Sequence, residues 1–157
     1  MDASLVALKL VLEELDVPCT TETFGDRKRL QKAVYLAQVG AVDFGYRYGW
    51  HTNGPYSPAL AEDYHRPEFL TPVESGQYAL RDVLRQRLIP LRSLLAVPKS
   101  LDLLSEDWLE LLASVHYLLR VRREEESAAR ETVKQTKEHV AYYFDDALAA
   151  LNTASLL

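Results

Sequence analysis

Cysteine is almost missing from this chain: Cys19 stands alone among 157 residues. A single thiol excludes an internal disulfide and a thiolate zinc site. Its expected place is a small, half-buried position after the first helix. A surplus of positive charge is missing too. Eighteen lysines and arginines face 23 aspartates and glutamates, a net charge of −5. The chain as a whole is therefore not drawn to phosphate backbones, and nucleic-acid contact would need a local basic face. Long apolar runs are absent. A bilayer span takes roughly 20 apolar residues, and Glu13, Glu14 and Asp16 interrupt the N-terminal leucines, so neither a signal peptide nor a membrane partner is expected. These absences describe a cytoplasmic protein. With 48% apolar and 26% charged residues, the expectation is one globular domain over residues 1–157, large enough to hold a core without a staple.

What is present is helical periodicity. Leu5, Leu8, Leu12 and Leu15 predict a helix over 3–16, with Lys9 outside the stripe. Asp26 is the expected N-cap of a second helix, 26–38. Leu30, Ala33, Val34 and Ala37 form its inner stripe, Lys28, Gln31, Lys32 and Tyr35 its other side, and Gly40 its left-handed end. The period then changes to two. Phe44, Tyr46, Tyr48 and Trp50 alternate with Gly45, Arg47, Gly49 and His51, which predicts a short strand or hairpin over about 44–53. Ser57-Pro58 has the form of a helix start. Further helices are expected over 77–89, broken at Pro90; from a cap at Ser105 through the stripe Trp108, Leu111, Leu112, Val115 and Leu118; through the polar segment 124–135; and over 137–151. The fold class is α-dominant α+β, a compact helical domain that is winged-helix-like in part.

No catalytic constellation stands out. His51, Ser57 and Asp63 supply the residue types of a nucleophilic triad, but Ser57 is committed to a cap and no Gly-x-Ser-x-Gly elbow is present. Glu62, Asp63 and His65 offer oxygen and nitrogen donors without the spacing that completes a metal shell. No Gly-rich phosphate loop exists. His116 reads as a packed, hydrogen-bonded histidine. The reading is no enzyme, no cofactor and no metal.

Arg27, Lys28, Arg29 and Lys32 cluster at the start of the second helix, where positive charge opposes the macrodipole. That mismatch points to a partner carrying negative charge. Together with the aromatic strand it defines a candidate partner-binding surface of Lys28, Lys32, Tyr35, Arg47, His51 and Tyr56. A protein partner is the first expectation. Two alternatives stay open: a winged-helix-like nucleic-acid binder, and a metal-dependent hydrolase using Glu62, Asp63 and His65. A homodimer through the leucine-rich C-terminal helices is also open.

Three segments carry a family resemblance: Arg29-Leu-Gln-Lys-Ala-Val-Tyr-Leu-Ala-Gln38, Phe44-Gly-Tyr-Arg-Tyr-Gly-Trp50 and Asn53-Gly-Pro-Tyr-Ser-Pro-Ala-Leu-Ala-Glu-Asp63. Together they resemble the YwgA-like group of small prokaryotic proteins. More distantly, the chain is similar to the phage-associated SocA-like or Panacea antitoxin domain. The strong match covers residues 28–64, and a weaker one extends through the Trp108–Leu118 helix. The resemblance implies a mostly helical fold with a small β element, and binding rather than catalysis. Panacea-like domains act as antitoxins by contacting a toxin, and the SocA-like member is an adaptor to a protease. The expected function is thus a non-enzymatic interaction module of phage, toxin–antitoxin or defence systems.

Overall fold

The Asp2 carboxylate accepts from the Ser4 N–H at 2.8 Å and starts helix α1 (Ala3–Glu14). The structure is a computed structural model that describes residues 2–74 and 76–157. Leu5, Leu8, Val11 and Leu12 of α1, followed by Leu15, are buried at the expected spacing. Lys9 departs from its expected outer position. Its stem lies in the core, and its ammonium donates to the Glu68 carbonyl at 3.3 Å and to the Thr71 carbonyl, as long charged side chains do when a stem finds apolar cover.

Helix α2 (Phe24–Gly40) starts two residues before the expected cap. Thr23 and Asp26 form a reciprocal capping box, so Asp26 acts from the third helical position. Gly40 is the last helical residue rather than a left-handed cap. The larger correction concerns the face. Lys28, Gln31, Lys32 and Tyr35, expected on the outer side, are all buried. The reason is position: α2 packs against α4, α5 and the hairpin together, so no side of its middle turns is left to solvent.

The aromatic alternation is real, but the strand is shorter than expected. Only β1 (Gly49–His51) pairs, antiparallel, with β2 (Gly54–Tyr56), Trp50 opposite Pro55. Ser57 already caps the next helix, so residues 44–48 have no strand opposite them. Their side chains still alternate: Phe44, Tyr46 and Tyr48 pack on the core, while Gly45 and Arg47 are exposed.

Ser57 Oγ accepts from the Leu60 N–H at 3.3 Å at the head of α3 (Pro58–Tyr64), with Pro58 in the first turn. A 3-10 turn, Pro67–Leu70, buries Phe69. Helix α4 (Asp82–Leu95) begins later than expected and continues through Pro90, holding Leu88, Leu91, Leu94 and Leu95 inside. Helix α5 (Ser105–His116) has Leu104 at its cap and Ser105 as its first residue. Trp108, fully buried, donates its indole N–H to the Leu94 carbonyl at 3.0 Å and ties α5 to α4. A wide π turn, Tyr117–Val121, follows. Then come α6 (Glu126–Thr136), α7 (Glu138–Ala141) and α8 (Phe144–Thr153). The single last helix expected over 137–151 is two helices, although Val140, Phe144, Ala147 and Leu151 face inward as expected.

The architecture is α-dominant with one two-stranded sheet. One continuous apolar cluster runs from Leu5 to Leu151, with α2 and α5 at its centre. Among the described residues no helix is long and apolar enough to cross a membrane.

Candidate functional site

Two helices buried on every side must pair their polar residues internally, because an unpaired buried charge is expensive. From Trp108 to His116 every residue of α5 is buried, including Glu110, Ser114 and His116. Opposite stand Lys28, Gln31, Lys32 and Tyr35 of α2. The two sets meet.

Glu110 is the hub. Its Oε1 accepts from Lys28 Nζ at 2.8 Å and its Oε2 from Lys137 Nζ at 2.9 Å. Lys28 also reaches Asp107 Oδ1 at 2.8 Å. Lys137, the linker residue between α6 and α7, is fully buried and donates in addition to the Thr52 carbonyl of the hairpin turn at 2.9 Å. Its ammonium lies 5.1 Å from the Trp50 ring centre, and Arg122 covers the same ring at 5.1 Å. Burial pushes the Glu110 carboxyl up, but the bonds and charge of Lys28 and Lys137 outweigh it and hold the group below its usual range. For Lys28, burial acts downward, and Asp107 with Glu110 reverses it, so the ammonium titrates above its usual range.

Lys32 differs. It is buried, and its ammonium donates to the Pro55 carbonyl at 2.6 Å with no carboxylate among the described residues bound to it. Burial, aided by the neighbouring Lys137 and Lys28 and opposed by Glu110, brings it down to about 7. Two carboxylates, Asp107 and Glu110, thus face three lysines.

Asp107, Glu110 and His139 also present donor atoms within 4.8 Å of one another. The cation they surround is already there: the Lys28 ammonium bonds both carboxylates, and His139 Nε2 lies 3.1 Å from Glu110 Oε1. A metal ion would have to expel that ammonium from a buried site, so the cluster reads as an internal ion network.

Beside this network lies a small cavity of about 230 Å3. Phe24, Tyr56 and Tyr64 give it aromatic walls; Arg27, Lys28 and Lys32 line it as cations; His65 stands at its edge on α3's end. No carboxylate lines it among the described residues. Phe24 is 57% exposed.

The six expected contact residues divide. Lys28, Lys32 and Tyr35 belong to the interior: Tyr35 OH and His116 Nδ1 share a hydrogen bond of 2.7 Å, and burial keeps His116 neutral, with its pKa lowered to about 4. Arg47 and His51 are exposed and Tyr56 half-buried, the His51 and Tyr56 rings meeting at a tilt with centres 5.0 Å apart. Asp63 accepts from Tyr46 OH at 2.6 Å and lies 3.8 Å from Arg66; with Ser57 Oγ capping α3, these residues form no triad. The sequence reading missed Glu110, Lys137 and Phe24, and it placed Arg27 in the basic cluster without counting it among the six contact residues. Glu110 had a signal, a carboxylate inside an otherwise apolar helix with Ser114 one turn on. Lys137, flanked by polar residues, had none.

Compared with known proteins, the chain matches no protein-family model, no curated protein and no solved structure.

Proposed function

We propose that this protein is a non-enzymatic interaction module that binds a protein partner. Its contact face is built around Phe24, Tyr56 and the cation-lined cavity between them. The observation that carries the reading is the pairing of a largely exposed phenylalanine with aromatic cavity walls. Exposed aromatics beside a pocket are the usual anchors of protein interfaces. Two polar side chains nearby are spent on structure: Glu110 on two lysines, Ser57 on a cap. The likeness of Arg29–Gln38, Phe44–Trp50 and Asn53–Asp63 to YwgA-like and Panacea-like domains supports a role in phage, toxin–antitoxin or defence systems. A nucleic-acid reading has less to rest on. Lys28 is held by Asp107 and Glu110, Lys32 is buried, and Arg29 is paired with Asp26 at 2.8 Å, which leaves few cations for phosphates.

The test is affinity purification of the tagged full chain with mass spectrometry, followed by reconstitution from purified proteins. The reconstituted partner should bind the wild type and lose roughly a hundredfold in affinity to Phe24→Glu. A partner bound equally by Phe24→Glu and by Tyr56→Arg would refute this face.

A further inference from the structure

The cavity between Phe24, Tyr56 and Tyr64 has a charge that the fold does not balance. Arg27 uses one guanidinium nitrogen, Nη1, on two carbonyls, Thr21 O at 2.8 Å and Glu22 O at 3.4 Å. It makes no ion pair among the described residues. Among the described residues Lys32 holds only the Pro55 carbonyl. The two carboxylates in reach, Asp107 and Glu110, are bonded to Lys28 and Lys137. Of the three basic residues that line the pocket, Lys28 is paired with Asp107 and Glu110, while Arg27 and Lys32 have no carboxylate bound to them among the described residues.

Resting on the interaction reading above, we propose that this cavity receives one acidic side chain of the partner protein, a glutamate or aspartate. Its carboxylate meets Arg27 and the Lys28–Lys32 side, and its methylene stem lies against Phe24 and Tyr56. Size agrees: about 230 Å3 is below the roughly 300–1,000 Å3 of pockets that enclose whole small molecules, and suits a single side chain. Chemistry agrees as well. A guanidinium with free donors is the side chain best matched to a carboxylate. Lys32, which burial and then Lys137 and Lys28 bring down to about 7 against the pull of Glu110, gains in the incoming carboxylate the counter-charge that the interior lacks. Phosphate is the competing anion; aromatic walls and a narrow cavity favour the slimmer carboxylate with its apolar stem.

The experiment is a two-dimensional NMR titration of the full chain with two isosteric probes. N-acetyl-glutamate α-methylamide carries one side-chain carboxylate; N-acetyl-glutamine α-methylamide carries none. The acidic probe should give saturable shifts at the backbone amides of Asn53, Tyr56 and His65, and bind about tenfold or more tightly than the glutamine probe, the worth of one charge-assisted pair. Arg27→Met should remove that preference. Equal binding of the two probes, no shift at the solubility limit of the acidic one, or tighter binding of inorganic phosphate would overturn the proposal. The wild-type comparison needs no folded variant. A reconstituted partner that loses affinity to Phe24→Glu but tolerates Arg27→Met would leave the interaction reading standing and sink the carboxylate. Selective binding of the acidic probe by a chain whose partner ignores Phe24→Glu would do the reverse.

Discussion

Gln31 and Gln38 stand two turns apart on α2, and each closes a pair of hydrogen bonds around one backbone residue of the hairpin segment. Gln31 donates to the Ser57 carbonyl and accepts from the Ser57 N–H, both at 2.9 Å. Gln38 does the same with Tyr46, at 2.8 and 3.1 Å. A side-chain amide has the donor and acceptor of a peptide group, so α2 supplies two isolated rungs of a ladder where no strand is available. The hairpin segment hangs from the core helix at both ends.

Gln31→Leu leaves the buried Ser57 N–H unpaired and its carbonyl with the Ala61 N–H alone, and the expected cost is about 2 kcal/mol. Gln38, nearer to solvent, should cost about 1 kcal/mol when changed to Leu, since water replaces what is lost. Urea unfolding measures both, and faster amide exchange at Ser57 in Gln31→Leu identifies the cause.

Glu110→Gln strips the counter-charge from the buried Lys137 ammonium and leaves Lys28 with Asp107 alone. The expected loss is about 4 kcal/mol. Replacing Lys28, Glu110 and Lys137 together by Met, Leu and Met should recover much of it, because the desolvation cost goes with the charges. Denaturant midpoints of the single and triple variants decide this.

Stability should fall in mild acid because of His116. Its folded pKa of about 4 lies below the ordinary 6.5, so the unfolded chain takes up a proton first. The folded state loses ground from about pH 6.5 down to 4, by about 3 kcal/mol. Glu110, held below its usual range, adds a further loss under pH 4.5. In His116→Gln, which keeps both a donor and an acceptor for Tyr35, the slope above pH 5 should flatten. An unchanged slope would refute the assignment.

Lys32 acts at the other end. Its folded pKa of about 7 is below the unfolded 10.5, so stability should rise as pH climbs from 7 toward 10. Lys32→Met should remove that rise; a variant tracking the wild type between pH 7 and 9 would show that Lys32 titrates normally.

Gly54 has φ +92°, and a Cβ added there would strike the Ser114 hydroxyl, which is buried without a hydrogen-bond partner. Gly54→Ala should cost about 3 kcal/mol in the wild type and about 1 kcal/mol in a Ser114→Ala background, where only the backbone strain remains. Additive costs in this cycle would refute the contact.

The apolar positions of α1, α5 and α8, the Ser57-Pro58 start of α3 and the aromatic alternation from Phe44 to Trp50 were legible in the sequence, because each depends on neighbours one or two turns away. Ends were less so. Thr23 took the cap from Asp26 because both side chains bond at once. The strand stopped at Gly49 because nothing lies opposite Phe44 to Tyr48. The site itself was half legible: Tyr56 and His51 stayed at the surface, but Lys28, Lys32 and Tyr35 did not. A helix with polar residues on one side is expected to show that side to water, and only the arrival of α5 with Glu110 and His116 made burial affordable.

The amino-acid sequence alone determined a helical chain with one small hairpin, since periodicity and capping are local physics. Which polar residues face solvent was decided by the tertiary structure. Burial of a charge depends on a partner far along the chain, and Lys28 meets Glu110 across 82 residues while Lys137 meets it across 27.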